Sequence, residues 1–220
     1  MFSQTVINML AEGFKDTIIM TLMSTLLAYV IGLPLGIILV ITDKDGIKPN
    51  VFINGVIGFV VNVFRSIPFL ILLVTIIPFT RMVVGTSIGM KATIVPLVVA
   101  AAPFIARLVE SSLKEVDKGV IEAAQSMGTS TFQIIYKVLL PEAVPSLIVG
   151  AAIAVTTILS YSAMAGFVGG GGLGDIAIRY GYSRYQTDIM IVTVILIVII
   201  VQVLQEIGMG IAKVSDRRRR

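Results

Sequence analysis

Long runs of apolar residues dominate the chain and predict its architecture. A helix rises about 1.5 Å per residue, so roughly 20 apolar residues cross the hydrocarbon core of a bilayer. The stretches that reach or approach this length cover residues 17–42, 51–80, 83–107, 141–167 and 189–212. We therefore predict an all-α integral membrane protein with five transmembrane helices, which form a single transmembrane domain over residues 1–220.

The distribution of lysine and arginine predicts the orientation of these helices. An odd number of spans puts the termini on opposite sides, and cytoplasmic loops carry the excess of basic residues. With the C-terminus inside, the cytoplasmic cations are Lys44, Lys48, Arg107, Lys114, Lys118, Lys137, Lys213 and Arg217 to Arg220. The outside then holds fewer, namely Lys15, Arg81, Lys91, Arg179 and Arg184. We predict an N-out, C-in topology with residues 108–140 as a cytoplasmic loop between the third and fourth spans.

Composition excludes several kinds of chemistry. Of the 220 residues 56% are hydrophobic and only 14% are charged, and the chain has neither cysteine nor histidine. Disulfides, metal sites built from Cys or His, and acid–base catalysis by histidine are thereby excluded. The net charge of +4 is concentrated near the C-terminus, which suits a membrane surface better than a nucleic acid. We predict no catalytic residue, no metal or cofactor and no nucleic-acid partner in this chain.

The helix of the third span is predicted to continue beyond the membrane. Apolar residues keep a helical spacing past its end, at Ile105, Leu108, Val109, Leu113 and Val116. Charged residues occupy other faces, at Arg107, Glu110, Lys114 and Asp117. Glu110 and Lys114 are four residues apart in the order that favours an ion pair. The helix therefore projects into water.

A helix–glycine–helix elbow is predicted in the rest of this loop. Residues 119–127 form a short helix, and Gly128 stands where a C′ glycine would end it. Residues 130–133 then match a capping box that opens a second helix. Its apolar face consists of Phe132, Ile135, Leu139 and Leu140, and Pro141 is expected to end it.

One face of the first helix of this elbow is nearly bare. Its small residues Ala123 and Ala124 would let the backbone of another protein approach closely, and Glu122 adds a charge there. An amphipathic hairpin lying on the bilayer surface is the alternative interpretation.

The sequence of this elbow, EAAQSMGTSTFQIIYKVLLP, resembles the EAA loop of binding-protein-dependent ABC importer permeases. The matching positions are Glu122, Ala123, Ala124, Gly128, Leu140 and Pro141, and Val138 replaces the usual Ile. The resemblance extends over about residues 15–212 and is closest to the permeases of methionine importers. Runs that carry it are FRSIPFLILL, IPFTRMVVGTSIG, AAPFIARLVE and YSAMAGFVGGGGLGD.

This resemblance implies a function and a set of partners. The chain would be the permease of an importer that carries D- or L-methionine across the bacterial cytoplasmic membrane, embedded in membrane lipid. It would form a homodimer that binds two ATPase subunits, which hold ATP and Mg²⁺, and an extracytoplasmic substrate-binding protein. The resemblance also places Glu122 to Gly128, including Met127, in a coupling helix that contacts the ATPase. No G-x-x-x-x-G-K-[ST] run is present, so ATP hydrolysis belongs to another chain.

Three further groups of residues are candidates for the transport pathway or its gate. Arg65 lies inside the second apolar stretch and either has a functional role, reaches water by snorkelling or pairs with a backbone carbonyl. Tyr161, Ser162 and Met164 approach the outer end of the fourth span, where Met164 is either a gate residue or part of the core. The glycine run of Gly169, Gly170, Gly171, Gly172 and Gly174 is predicted to be a flexible outer loop, either a plain linker or a hinge at the gate.

Functions of other classes stay open at this point. A permease for another amino acid or an osmolyte shares the same loop and glycine run. A secondary carrier would need an ion or proton site in the membrane, and no Asp or Glu lies in the middle of a predicted span. A membrane scaffold would need no pathway at all.

Overall fold

The structure is a computed structural model in which residues 3–215 are described, and within that range the chain forms helices and no strands. The helices are α1 (Gln4–Thr42), α2 (Val51–Ser66), α3 (Phe69–Thr75), α4 (Ile77–Val84), α5 (Met90–Lys114), α6 (Lys118–Ser126), α7 (Thr131–Ile134), α8 (Leu140–Met164), α9 (Gly172–Ile176) and α10 (Thr187–Ser215). A π-helical segment, Ile135–Leu139, joins α7 to α8. A 3₁₀ segment, Ala165–Val168, precedes α9, and a second π-helical segment, Ala177–Tyr182, follows it.

Four helical regions among the described residues are long and apolar enough to cross a membrane. They are Gln4–Thr42, Met90–Lys114, Thr131–Tyr182 and Thr187–Ser215, and they contain most of the first, third, fourth and fifth predicted spans. Helix α1 begins well before residue 17, and α5 begins at Met90 rather than at residue 83. The later start of α5 follows from Gly85, which ends α4 in the left-handed conformation.

The second predicted span is not one continuous helix. The chain leaves helical geometry at Ile67 and Pro68, between α2 and α3, so a fifth span exists only if this bent pair of helices counts as one. Proline has no N–H to donate and disfavours helical angles in the residue before it. The predicted span over residues 51–80 is therefore divided by a sharp bend of 99° between α2 and α3.

The chain divides into two compact units, each built from three segments. Of the described residues, unit 1 comprises 3–28 together with Ile67–Ala101 and Ala154–Gln205. Unit 2 comprises Tyr29–Ser66, Ala102–Ile153 and residues 206–215. Helices α1, α5, α8 and α10 each contribute residues to both units.

Unit 1 buries hydroxyl groups and exposes large apolar side chains. Thr21, Ser24 and Thr193 are fully buried, whereas Leu26 on the same helix as Thr21 is 60% exposed. Transmembrane helices bury small and hydroxyl residues against each other, because lipid tails accept apolar side chains as readily as a protein core does. One apolar cluster of unit 1 contains the buried residues Leu10, Leu159, Leu173, Ile176, Ile189 and Ile200.

Unit 2 brings α1 and α5 into backbone contact. A Cβ atom on Gly36 would lie 2.6 Å from the carbonyl oxygen of Ala106, and one on Gly32 would lie 2.7 Å from that of Ala102. Spacing of four places both glycines on one face of α1, as in the G-x-x-x-G contacts of membrane helices. Nothing larger than hydrogen fits at either position without moving α5.

Candidate functional site

The predicted elbow is present, and its ends are capped as the sequence indicates. Asp117 caps the N-terminus of α6, where its carboxylate accepts a 2.7 Å hydrogen bond from the Gly119 N–H. Gly128 follows the end of α6 with φ of 75°, the left-handed angle of a C′ glycine. Ser130 and Gln133 form the reciprocal capping box that opens α7. Capping groups therefore hold both ends of the elbow in a defined geometry.

The second helix of the elbow differs from its prediction. Pro141 does not end the helix, because α7 continues through the π-helical segment Ile135–Leu139 directly into α8. The wider π turn bonds the Leu140 N–H to the Ile135 carbonyl and accommodates the proline that follows. Ile134 and Leu139 are buried, whereas Phe132 is 72% exposed. The predicted apolar face is correct only at Leu139 and in part at Ile135 and Leu140.

The exposed side of α6 carries Glu122 and Ala123, and Met127 follows at its C-terminal end. All three are exposed, and Met127 is 79% exposed. Ala124, predicted to lie on the same bare face, is instead 4% exposed on the side on which α6 packs against the π-helical segment. A partner that approaches the exposed side would therefore meet Glu122, Ala123 and Met127, whereas Ala124 fixes α6 to its own chain.

An ion-pair network ties the end of α5 to its neighbours in unit 2. Glu110 pairs with Arg107 and, at 2.9 Å, with Lys114 on the same helix, so the predicted Glu110–Lys114 pair is present. The Lys114 ammonium also lies 2.7 Å from Asp43 after the end of α1. Arg107 donates a 2.8 Å hydrogen bond to the side-chain oxygen of Asn62 on α2. We call these five residues the α5 network.

Glu110 is buried in this network, although the sequence predicts that it faces water. Its exposed fraction is 8%, and the two cations that flank it offset the cost of burying a charge. Asp43 lies just beyond α1, and the hydrogen bond that it accepts from Lys114 lowers its pKa. Sequence spacing reveals the pairs within α5, but the contacts with Asp43 and Asn62 join residues far apart in the chain.

Arg65 is not inside a continuous span. It is exposed in the last turn of α2, one residue before that helix ends. A cation at a helix C-terminus interacts favourably with the helix dipole, and the cost of placing it at the centre of a spanning helix does not arise.

The three residues near the end of α8 have different surroundings. Tyr161 stacks on Phe69, with ring centroids 4.7 Å apart and planes 4° from parallel. Ser162 is buried, and its hydroxyl donates a 2.7 Å hydrogen bond to the Leu159 carbonyl. Met164 is 42% exposed. Of these candidates, Met164 has the most accessible side chain, and Phe69 is a neighbour that the sequence does not single out.

The glycine run is closely packed and partly helical, so the prediction of a flexible loop is wrong. Gly172 and Gly174 belong to α9 and are buried. The Thr93 hydroxyl donates a 2.9 Å hydrogen bond to the Gly170 carbonyl, and the Leu173 N–H donates one of 2.8 Å to the Thr17 hydroxyl. At Gly170 and Gly174 neighbouring backbone occupies the space of a side chain, and at Gly172 the Thr17 hydroxyl occupies it.

No group of three or more Asp and Glu side chains within residues 3–215 is placed to hold a metal ion. Asp43, Glu110 and Lys114 form ion pairs, and Glu122 is exposed.

The long apolar helices and the buried hydroxyls among them define a helical integral membrane protein. Residues 28–220 match the model of the family described as "Binding-protein-dependent transport system inner membrane component". The chain belongs to this family, and it is therefore an inner-membrane component of a bacterial transport system.

Curated relatives and a solved structure resemble nearly the whole chain. The probable D-methionine transport system permease protein MetI of Vibrio cholerae serotype O1 is 52% identical over 211 residues, 96% of this chain and 94% of the relative. The methionine import system permease protein MetP of Bacillus subtilis is 48% identical over 181 residues, 82% of each chain. A chain of the MetNI methionine ABC transporter, solved in inward-facing conformations, is 47% identical with a TM-score of 0.97, covering 98% of this chain and 100% of that one.

Proposed function

We propose that this chain is the permease of an ABC importer that carries methionine across the cytoplasmic membrane. It works as a homodimer with two ATPase subunits, which bind ATP and Mg²⁺, and an extracytoplasmic binding protein delivers the substrate. Support for methionine comes from the two relatives named as methionine permeases and from the similarity to the MetNI transporter. Chemistry on the chain itself does not select this substrate.

The observation that carries the coupling role is the capped elbow around α6. Its N-terminus is held by Asp117, its C-terminal turn by Gly128, and the following helix by the Ser130 capping box. A short helix fixed at both ends transmits displacement, whereas an unstructured loop would absorb it. The exposed Glu122, Ala123 and Met127 form the contact with the ATPase, and Leu140 and Pro141 pass the displacement into α8.

The two units support an N-out, C-in orientation. Every predicted cytoplasmic cation among the described residues belongs to unit 2, and every predicted outer cation belongs to unit 1. Arg217 to Arg220 lie outside the described residues. Because basic residues favour the cytoplasmic side, unit 2, which contains the elbow, faces the cytoplasm.

The pathway is assigned to the part of α8 that carries Tyr161, Ser162 and Met164. The exposed Met164 supplies an adaptable apolar group at the gate, and the stack of Tyr161 on Phe69 holds the helix behind it. The glycine run follows the gate, and its backbone turns where Gly169 and Gly171 adopt positive φ. Arg65, in the last turn of α2, is a second pathway residue in this proposal.

Charge reversal on α6 tests the coupling role. The Glu122→Lys variant should insert and assemble normally, because Glu122 is exposed, yet its ATP-driven uptake should fall by about tenfold. Uptake and ATP hydrolysis are measured in proteoliposomes that contain the complete transporter. The matched control is Glu12→Lys, the same change at an exposed position of α1. Normal uptake by a fully inserted Glu122→Lys transporter would refute the role.

Substrate and class are tested with the unmodified transporter. Ligand-induced stabilisation of the binding protein should be found with D- or L-methionine; a response only to another amino acid or an osmolyte would change the substrate.

Uptake that persists without ATP and collapses with an ionophore would indicate a secondary carrier. Failure of uptake with any ATPase partner would leave a scaffold role.

A further inference from the structure

The α5 network lies next to the elbow along the chain. Lys114 is the last residue of α5, and only three residues separate it from the start of α6. Its ammonium is shared between Glu110 on its own helix and Asp43 beyond α1. Along the chain, α6 is therefore joined directly to the turn of α5 that carries this network.

The same end of α5 is joined to α2. Arg107 donates a hydrogen bond to Asn62 on α2 and pairs with Glu110. The buried Glu110 also pairs with Lys114, which binds Asp43 just beyond α1. Glu110 therefore connects the two cations that hold α5 to its neighbours. A second link joins α1 and α2 directly, because the Asn54 amide donates a 2.8 Å hydrogen bond to the Leu39 carbonyl. Within unit 2, these contacts join α1, α2 and α5 to one another.

Close contact along α1 and α5 makes this connection stiff. Gly32 and Gly36 leave no gap between α1 and the α5 backbone, so the two helices cannot slide past each other without separating. Tightly packed helices have only a few discrete arrangements and therefore transmit a displacement, whereas loosely packed helices deform. Ionic and steric contacts thus act on the same pair of helices.

We propose that the α5 network is a mechanical coupling element, which makes α1, α2 and α5 follow the movement of α6 as one body. Asp43, Asn62, Arg107, Glu110 and Lys114 are positioning residues in this scheme, since they act through α5 rather than on the substrate. The inference rests on the proposed function, because it assumes that α6 receives the stroke of an ATPase.

The test compares substitutions of Lys114 in the complete transporter. Lys114→Gln removes the cation that Glu110 and Asp43 share, so uptake per ATP hydrolysed should fall by about fivefold while ATP hydrolysis continues. Lys114→Arg keeps the charge and should restore the ratio to within about twofold of the unmodified protein. The control is Lys48→Gln, which removes an exposed cation between α1 and α2 and should leave the ratio unchanged.

The ratio is measured only on transporter that co-purifies with its ATPase, so a loss of folding is not mistaken for uncoupling. An unchanged ratio in Lys114→Gln, or an equal fall in Lys114→Arg, would overturn the inference. If Lys114→Gln does not assemble, Asp43→Asn is used instead, because it leaves Glu110 paired and breaks only the link to α1. A fall of about twofold in uptake per ATP hydrolysed supports the inference. An unchanged ratio in this variant overturns it. Absence of ATP-driven uptake by the unmodified transporter would instead refute the proposed function, and the inference with it.

Discussion

Gly128 in the elbow and Gly174 in the glycine run have very different surroundings. A Cβ atom on Gly128 would meet nothing within 4 Å, but the residue has φ of 75°. Gly174 lies in helix α9, and a Cβ there would lie 2.5 Å from the Ala163 Cα and 2.8 Å from its carbonyl carbon. Gly128 is needed for its backbone angle, and Gly174 for its missing side chain.

This difference separates two properties that a glycine-rich sequence does not distinguish. In the elbow one glycine ends a helix and leaves the exposed face free for a partner. In the glycine run, consecutive glycines let helical segments of unit 1 approach until their backbones touch. A run of glycines in a membrane protein therefore indicates close contact as readily as flexibility, and substitutions can tell the two apart.

The largest effect is expected for Gly174→Ala. The added methyl group would overlap the Ala163 backbone, which cannot rotate away as a side chain can, so the free energy of unfolding should fall by about 3 kcal/mol. Unfolding of the purified protein in detergent measures this change. Gly210→Ala is the matched control, because its Cβ would meet nothing and alanine favours a helix by about 1 kcal/mol. Equal stability of the two variants would contradict close contact at Gly174.

A smaller effect is expected where the glycine run is held by a hydroxyl. Thr17→Val keeps the shape of the side chain but removes the acceptor of the Leu173 N–H, which is buried. An unsatisfied buried donor should cost about 2 kcal/mol of unfolding free energy. Thr75→Val is the control, since that exposed hydroxyl only bonds the Ile71 carbonyl within its own helix. If both variants lost the same stability, the bond between Thr17 and the glycine run would be unimportant.

Local signals in the sequence predicted the elbow well. Gly128 and the Ser130–Gln133 box depend on a few neighbouring residues, and both are present as predicted. The apolar runs likewise predicted most of the spans, because length and hydropathy are properties of the segment itself. The G-x-x-x-G spacing of Gly32 and Gly36 is likewise a local signal, typical of close contact between membrane helices.

Features that depend on distant residues were missed. Asp43 binds Lys114 and Asn62 binds Arg107, the two cations that pair with the buried Glu110. The spacing of residues within α5 reveals neither of these two contacts. The glycine run packs because Thr17 and Thr93 meet it from other helices. At Pro141 the local rule that a proline ends a helix gives a wrong prediction. The preceding π turn accommodates the proline, so the helix continues.

The smallest effect on the free energy of unfolding is expected for Gly128→Ala. The same variant should nevertheless lower the uptake per ATP hydrolysed. The methyl group meets no atom, so only the left-handed angle is strained, at a cost of about 1 kcal/mol. Because Asn tolerates this angle better, Gly128→Asn should recover most of the loss. Unfolding free energy and uptake per ATP hydrolysed are measured for both variants. A greater loss in the bulkier Asn variant than in Ala would mean that space rather than backbone angle limits this position, and the contrast with Gly174 would fail.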